Sequence, residues 1–371
     1  MKILLPLKLA KRGYNLYLCE NFQKMFRLLF KPLLFSFSPE TAHRIVARLL
    51  IILAYIPLSR YIVRFFFSYS HPTLEREVLG IRFPNPVGMA AGFDKNAELY
   101  NPLSDFGFGF VEIGSVTPSE QPGNSKPRVF RLVDDQAIIN RMGINNKGVK
   151  HAVTKLKQTK PRVIIGGNIS KSTASSNDKA PLDYEKSFAQ LYDFVDYFVV
   201  NVSCPNVKGL TKLQDITSLS EIIDRLTLLR KYFDDYRPIL LKVSPDLTDE
   251  QLDEIIELVL VSGLDGIVAT NTTTLRSNLT TSDEKIKNIG EGGLSGAPLY
   301  NRSLEMVKYI SKKTEGQLPI IGVGGIMTPL QAKEMLDAGA SLVQVYTGFI
   351  YNGPGFVRKI LKHISKTSSS C

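Results

Sequence analysis

The feature that most constrains this chain is a recurrence. From residue 85 onward, short β-branched and aliphatic runs at 86–91, 109–114, 163–169, 197–202, 238–243, 266–270, 319–323 and 342–346 alternate with segments of helical period, such as 219–233, 249–262 and 329–338. Near-continuous apolar strands require burial on both faces, which a parallel sheet wrapped by helices provides. Eight such units predict an α/β protein, a (β/α)8 TIM barrel. Residues 73–83 read as a short hairpin closing the bottom of that barrel. At 371 residues there is room for the barrel, over 71–371, and a small domain before it, over 1–70.

Polar residues gather where the strands end. The first strand runs into Ala91, Gly92 and Lys95, the second into Ser115, and the third contains Asn168. The fourth continues through Asn201 to Cys204 and Asn206, and the fifth contains Lys242. The sixth ends in Thr270-Asn271-Thr272, the seventh in Gly324-Gly325 and the eighth in Tyr346-Thr347. Each alone is an ordinary loop residue, but eight on one rim mark the face where this fold keeps its active sites. The glycines at 322, 324 and 325, together with Tyr346-Thr347-Gly348, suit a phosphate, because glycine lets backbone N–H groups approach an anion. A phosphorylated cofactor is expected, and FMN fits, with Lys242 near the electron-rich end of its ring.

The net charge of +11 is unevenly spread. Residues 1–70 hold eleven Lys and Arg against two acids, Glu20 and Glu40, so the rest of the chain is near neutrality and unsuited to gripping nucleic acid. The apolar run 49–58 contains Pro57 and falls far short of the roughly 20 residues that span a bilayer. Residues 38–50 begin like a helix, with Ser38 as N-cap and Pro39 in the first turn, and 25–35 form a second short, basic, apolar stretch. Such helices suit the surface of an anionic membrane, giving an amphipathic helical membrane-association domain. A hairpin packed on the barrel and a dimer contact are the plainer alternatives. Residues 1–19 carry four basic residues and no acid, so a cleaved presequence is open; so is a start at Met25, which would make 1–24 an extension. The three cysteines, Cys19, Cys204 and Cys371, form no CxxC pair, so neither a metal site nor a disulfide framework is expected.

Ordered motifs then carry a resemblance. NPVGMAAGFDK (85–95), GFVEIGSVTP (109–118), KPRVFRL (126–132), INRMG (139–143), NVSCPN (201–206), ATNTT (269–273), GGLSG (292–296) and PIIGVGGI (319–326) resemble the dihydroorotate dehydrogenase family, over roughly residues 37–365. The segments SPETAHR (38–44) and 126–131 resemble its membrane-bound, quinone-using class 2 in particular. The resemblance implies oxidation of (S)-dihydroorotate to orotate in de novo pyrimidine biosynthesis. A hydride would pass from substrate C6 to FMN, and the electrons on to a membrane quinone. It implies FMN contacts at Ala91, Gly92, Lys95, Ser115, Asn168, Asn201, Lys242, Thr270, Gly296, Gly325, Tyr346 and Thr347. Substrate would be held by Lys95, Asn140, Arg141, Met142, Gly143, Ile144, Asn201, Asn206, Asn271 and Thr272, since a carboxylate and ring amides need a cation and Asn-type donor–acceptor pairs. Quinone would enter between the N-terminal helices past His43, Arg131 and Tyr346. His43 reads equally as a satisfied interface histidine.

One position departs from class 2. Cys204 stands where that class has Ser, Ile144 replaces a Phe and Val207 a Thr, so the pocket resembles class 1 chemistry inside a class 2 body. By that resemblance Cys204 is the base that takes the C5 proton; a thiol of pKa about 8.5 needs less help than a serine hydroxyl. The expected location is the cytoplasmic face of a bacterial inner membrane, with peripheral attachment; the mitochondrial inner membrane is the alternative. Rival readings are a class 1-like enzyme using fumarate or NAD, a non-catalytic membrane-bound flavin-binding protein, and a flavin barrel acting on tRNA. The near-neutral barrel disfavours the last.

Overall fold

The structure, a computed structural model, describes residues 24–203 and 216–367. Cys204, Asn206 and Val207 lie outside the described residues. Eight strands form a closed barrel: β1 (Val87–Asp94), β2 (Phe110–Val116), β3 (Ile164–Ile169), β4 (Tyr197–Asn201), β5 (Ile239–Val243), β6 (Gly266–Ala269), β7 (Ile320–Val323) and β8 (Leu342–Val345). Each runs parallel to its sequence neighbour, and β8 returns to β1 with Val343 beside Val87. Seven of the eight expected runs match within about two residues. The first extends further, because the strand continues through Gly92 and Phe93 to the buried Asp94.

The lower half of the barrel is filled by rings. Phe110 and Tyr197 point inward, and their register partners on the neighbouring strands are glycines, Gly88 and Gly166. A Cβ on Gly88 would lie 2.3 Å from the Phe110 ring, and one on Gly166 2.4 Å from that of Tyr197. The small residue is what admits the large one. The expected hairpin is present as Arg76–Val78 and Ile81–Phe83, joined by Leu79 and Gly80, both at positive φ, as a two-residue hairpin turn requires. It delivers the fully buried Phe83 edge-on to Phe110 at 5.3 Å, sealing the bottom. Two helices on the outside, Asp249–Val261 and Pro329–Asp337, start at Thr248 and Thr328 with capping boxes completed by Gln251 and Gln331.

A three-stranded antiparallel sheet of Val129–Leu132, Ala137–Asn140 and Gly293–Gly296 was not foreseen as structure, although its segments carry family motifs. It joins chain regions about 150 residues apart and places Asn140 opposite both Val129 and Gly293.

Among the described residues three N-terminal α-helices precede the barrel, α1 (Lys31–Ser36), α2 (Pro39–Tyr55) and α3 (Ser59–Phe67), with a π-helical turn at Phe26–Phe30 leading into α1. Ser38 caps α2, accepting the Thr41 N–H as expected. Among the described residues no single helix is long and apolar enough to cross a membrane; α2 and α3 pass that test only as a pair bent by 120°. Barrel arginines fasten the helices. Arg128 makes a two-point bond to Glu40 of α2, at 2.8 and 3.3 Å. Arg131 donates to the Phe35 and Phe37 carbonyls at the end of α1, and Arg358 to Phe65 and Phe66 at the end of α3, satisfying carbonyls that a helix terminus leaves orphaned.

Candidate active site

A cavity of about 660 Å³ runs from between the N-terminal helices down to the barrel rim. Its mouth is apolar, with Phe30, Leu34, Leu50, Leu53, Ile62 and Phe66 on the helices; its floor is polar. The floor is a hydrogen-bonded chain that crosses four strands. Ser115 on β2 donates to Asn168 Oδ1 on β3, and Asn201 Nδ2 at the end of β4 donates to Ser115 Oγ at 2.8 Å. Asn271, just past β6, donates to Asn201 Oδ1 at 3.2 Å and to Ser203 Oγ at 3.0 Å, while its own Oδ1 accepts the Thr272 N–H at 2.8 Å. Thr270 bonds with Ser303 at 3.0 Å. Such a chain holds carboxamides in one orientation before anything binds.

Lys95 and His43 both line the cavity, close enough for the Lys95 charge to act on the His43 ring. Lys95 Nζ donates to the Gly92 carbonyl, and Tyr346 OH reaches the same oxygen at 3.3 Å. Burial lowers the Lys95 ammonium to about 8. Burial, with the Lys95 charge adding to it, lowers His43 to about 4, so this ring is neutral near pH 7. It packs edge-on against Phe93 at 4.9 Å, and Phe93 against Tyr346 at 5.6 Å. Burial also pushes the Tyr346 phenol up to about 12.

Of the residues expected in the site, Ala91, Gly92, Asn140, Met142, Gly143, Ile144, Lys242, Gly296, Gly325, Thr347 and Arg131 also line this cavity. Two do not. Arg141 turns away: its guanidinium donates to the Ile289 and Glu291 carbonyls and lies over Phe130, so it braces the neighbouring loop. Asn168 is fully buried beneath the floor and acts through Ser115. The loop bearing Met142, Gly143 and Ile144 is held by Gln121, whose Nε2 donates to the Gly143 and Ile144 carbonyls at 3.2 and 2.8 Å. Ile144 has φ +53, rare for a β-branched residue, which marks a conformation imposed by its surroundings. Gln121 had no signal in the sequence, since its partners lie over 20 residues away.

Hydroxyls and carboxamides with the ammoniums of Lys95 and Lys242, and glycine backbone at 296, 324 and 325 with Thr347, suit a polar ring that carries a phosphate. Among the described residues no group of His, Cys, Asp and Glu is arranged to hold a metal ion.

A family model described as dihydroorotate dehydrogenase matches residues 73–367. The chain belongs to the dihydroorotate dehydrogenase family. A relative from Christiangramia forsetii named dihydroorotate dehydrogenase (quinone) is 50% identical over 92% of this chain and 98% of its own. One of the same name from Natronomonas pharaonis is 46% identical, over 91% and 93%. The solved dihydroorotate dehydrogenase of Eimeria tenella in complex with ferulenol superposes with a TM-score of 0.81 at 36% identity, covering 90% of this chain and 92% of that one. The contacts missed from sequence are those made between segments far apart along the chain: Gln121 with the 143–144 loop, the Glu40–Arg128 pair, and a buried carboxylate, Glu112, below the floor.

Proposed function

We propose that this chain oxidises (S)-dihydroorotate to orotate for pyrimidine biosynthesis, with FMN as its flavin and a membrane quinone as electron acceptor. The observation that carries the reading is the continuity of one cavity from the apolar mouth between α1, α2 and α3 to the polar floor at the rim. An apolar oxidant and a polar substrate each find their own end of it. Family membership and the names of the relatives support the same reading.

The chain's own residues divide the work. Lys95 pairs with the substrate carboxylate, and Asn140, Asn201, Asn271 and Thr272 hold the ring amides. Asn206, by its place in the motif, joins them. Cys204 as thiolate accepts the C5 proton; its neighbour Ser203 is fully buried and bonded to Asn271, so the base directly follows an anchored residue. FMN, when bound, would supply the hydride acceptor for substrate C6 and the two-electron link to quinone. Ser115, Asn201, Lys242 and Thr270, which line the cavity, would hold its ring, and Gly325 with Thr347 its phosphate. His43, neutral and half-buried, contributes shape and a polar point to the quinone path, and Arg131 lines the same cavity.

The exposed apolar side chains of α2 and α3, among them Leu49, Ile52, Tyr55 and Ile62, with Arg48, Arg60 and Arg64 on the same helices, suit a monotopic seat on an anionic membrane. We place it on the cytoplasmic face of a bacterial inner membrane.

The test is anaerobic reduction of the bound flavin by dihydroorotate, followed by reoxidation with quinone, fumarate and NAD in parallel. Bleaching by dihydroorotate and preferential reoxidation by quinone are expected; no bleaching would leave a flavin-binding protein without this chemistry. Cys204→Ala is expected to slow bleaching by roughly 10²–10⁴, the usual worth of a general base. Wild-type bleaching in that variant would remove Cys204 from its role.

A further inference from the structure

Glu112 lies on β2 two residues beyond Phe110, so it points into the barrel at the level between the sealing rings and the cavity floor. It is fully buried. Each carboxylate oxygen accepts one amide: Oε1 from Asn168 Nδ2 at 2.7 Å and Oε2 from Gln344 Nε2 at 2.6 Å. Lys242 Nζ stands 3.9 Å from Oε1, and among the described residues no other carboxylate is within ion-pair distance of that ammonium. All three partners lead to the cavity: Lys242 and Gln344 line it, and Asn168 orients Ser115, which lines it too. A carboxylate buried in a barrel is costly unless each of its oxygens and its charge are matched, and here they are.

We infer that Glu112 is a positioning residue for the flavin: it anchors the Lys242 ammonium beneath the ring and offsets part of its charge, and so sets how readily the ring accepts electrons. The inference rests on the flavin reading above. A reduced flavin holds more negative charge than an oxidised one. The cation favours that form and the Glu112 carboxylate opposes it, so the pair fixes the balance while a shared network fixes the geometry.

The experiment is spectroelectrochemical titration of the flavin in the purified protein and in Glu112→Gln, which keeps the shape and one hydrogen-bond acceptor but loses the charge. The expected result is about a tenfold shift of the equilibrium toward reduced flavin, a rise of about 30 mV for a two-electron couple. A merely structural role leaves the potential where it was, and an unmoved potential in a flavin-loaded variant overturns the inference. In a Lys242→Met background the same substitution is expected to shift the potential less, because the ammonium through which Glu112 acts is gone; a shift that persists in full also overturns it. Should Glu112→Gln alone fail to hold flavin, the double variant is expected to melt at a higher temperature than either single one, since neither charge is then stranded. A double variant less stable than both singles counts against the pairing. If the wild-type protein carries no flavin, the cofactor reading fails. If it carries flavin that Glu112→Gln does not perturb, only the role of Glu112 fails.

Discussion

The two ends of the one cavity are built by different means. The floor is made of strand-end residues whose positions follow from barrel register and whose polar atoms bond one another across strands. The mouth is made of helices in which only Ala42 of α2 and Phe67 of α3 are fully covered, and a few polar fastenings, Arg128 to Glu40 and the two arginine caps, tie them down. Directional chemistry needs groups held to within fractions of an ångström, which a barrel supplies. An apolar ring passing through needs only shape and dryness, which a loosely fastened helical pair supplies. In the function proposed above the difference separates substrate oxidation from acceptor reduction, and each half is open to its own perturbation.

The largest effect is expected at the floor. Lys95→Ala should lower kcat/KM for dihydroorotate by about 10²-fold or more, the cost of losing one partner of a buried charge pair, while quinone still reoxidises the chemically reduced enzyme at the wild-type rate. Stopped-flow measurement of both half-reactions checks it, and equal damage to both would erase the distinction between floor and mouth. Next is pH. Burial brings Lys95 down to about 8, so the charged form proposed to pair with the substrate is present below that pH and is lost above it. The kcat/KM profile should therefore carry a descending limb near 8, falling about tenfold per pH unit, as expected for an essential ammonium of the free enzyme. With His43 near 4, the reoxidation step should show no limb from this residue between pH 5.5 and 8.

At the mouth, Glu40→Gln should cost about 1–3 kcal/mol of helix docking, by leaving the buried Arg128 without its charge partner. It should raise the quinone KM several-fold with dihydroorotate bleaching retained. Burial opposes the Glu40 charge, but the bonds and charge of Arg128, with Lys126, outweigh it and hold the carboxyl below its ordinary range. Its contribution is thus present at neutral pH and is lost as pH falls through that lowered value, so acid should mimic the substitution; limited proteolysis of the helices across pH reads both. The smallest effect on stability is expected from Ile52→Glu with Tyr55→Glu, within about 0.5 kcal/mol by thermal melt, with loss of flotation on anionic vesicles. A large drop in Tm would mean that this face is packed against protein instead of lipid.

Much of the floor was legible because barrel strands announce themselves as short apolar runs, and their ends are where chemistry collects. Ser115, Asn201, Lys242, Thr270 and Tyr346 could be picked out that way. Arg141 shows the limit of carrying a motif over residue by residue: it sits between Asn140 and Met142, which line the cavity, yet its own side chain leaves for the Ile289 carbonyl. Alternation in an extended segment turns neighbours to opposite sides, and a motif does not say which neighbour faces in. Glu112 was hidden for the complementary reason. It sits inside an apolar strand where nothing local distinguishes a surface acid from a buried one.

The amino-acid sequence by itself determined the barrel, its eight strands, the rim on which the site lies and the cap of α2 at Ser38, because each follows from periodicity or from contacts within a few residues. Only the tertiary structure decided what those residues touch. It brings residues 129–140 together with 293–296 in one sheet, seats Glu40 against Arg128, and closes Glu112 among Asn168, Lys242 and Gln344. Those contacts join positions tens to hundreds of residues apart, and their energies come from burial and matched polarity that exist only once the barrel has closed.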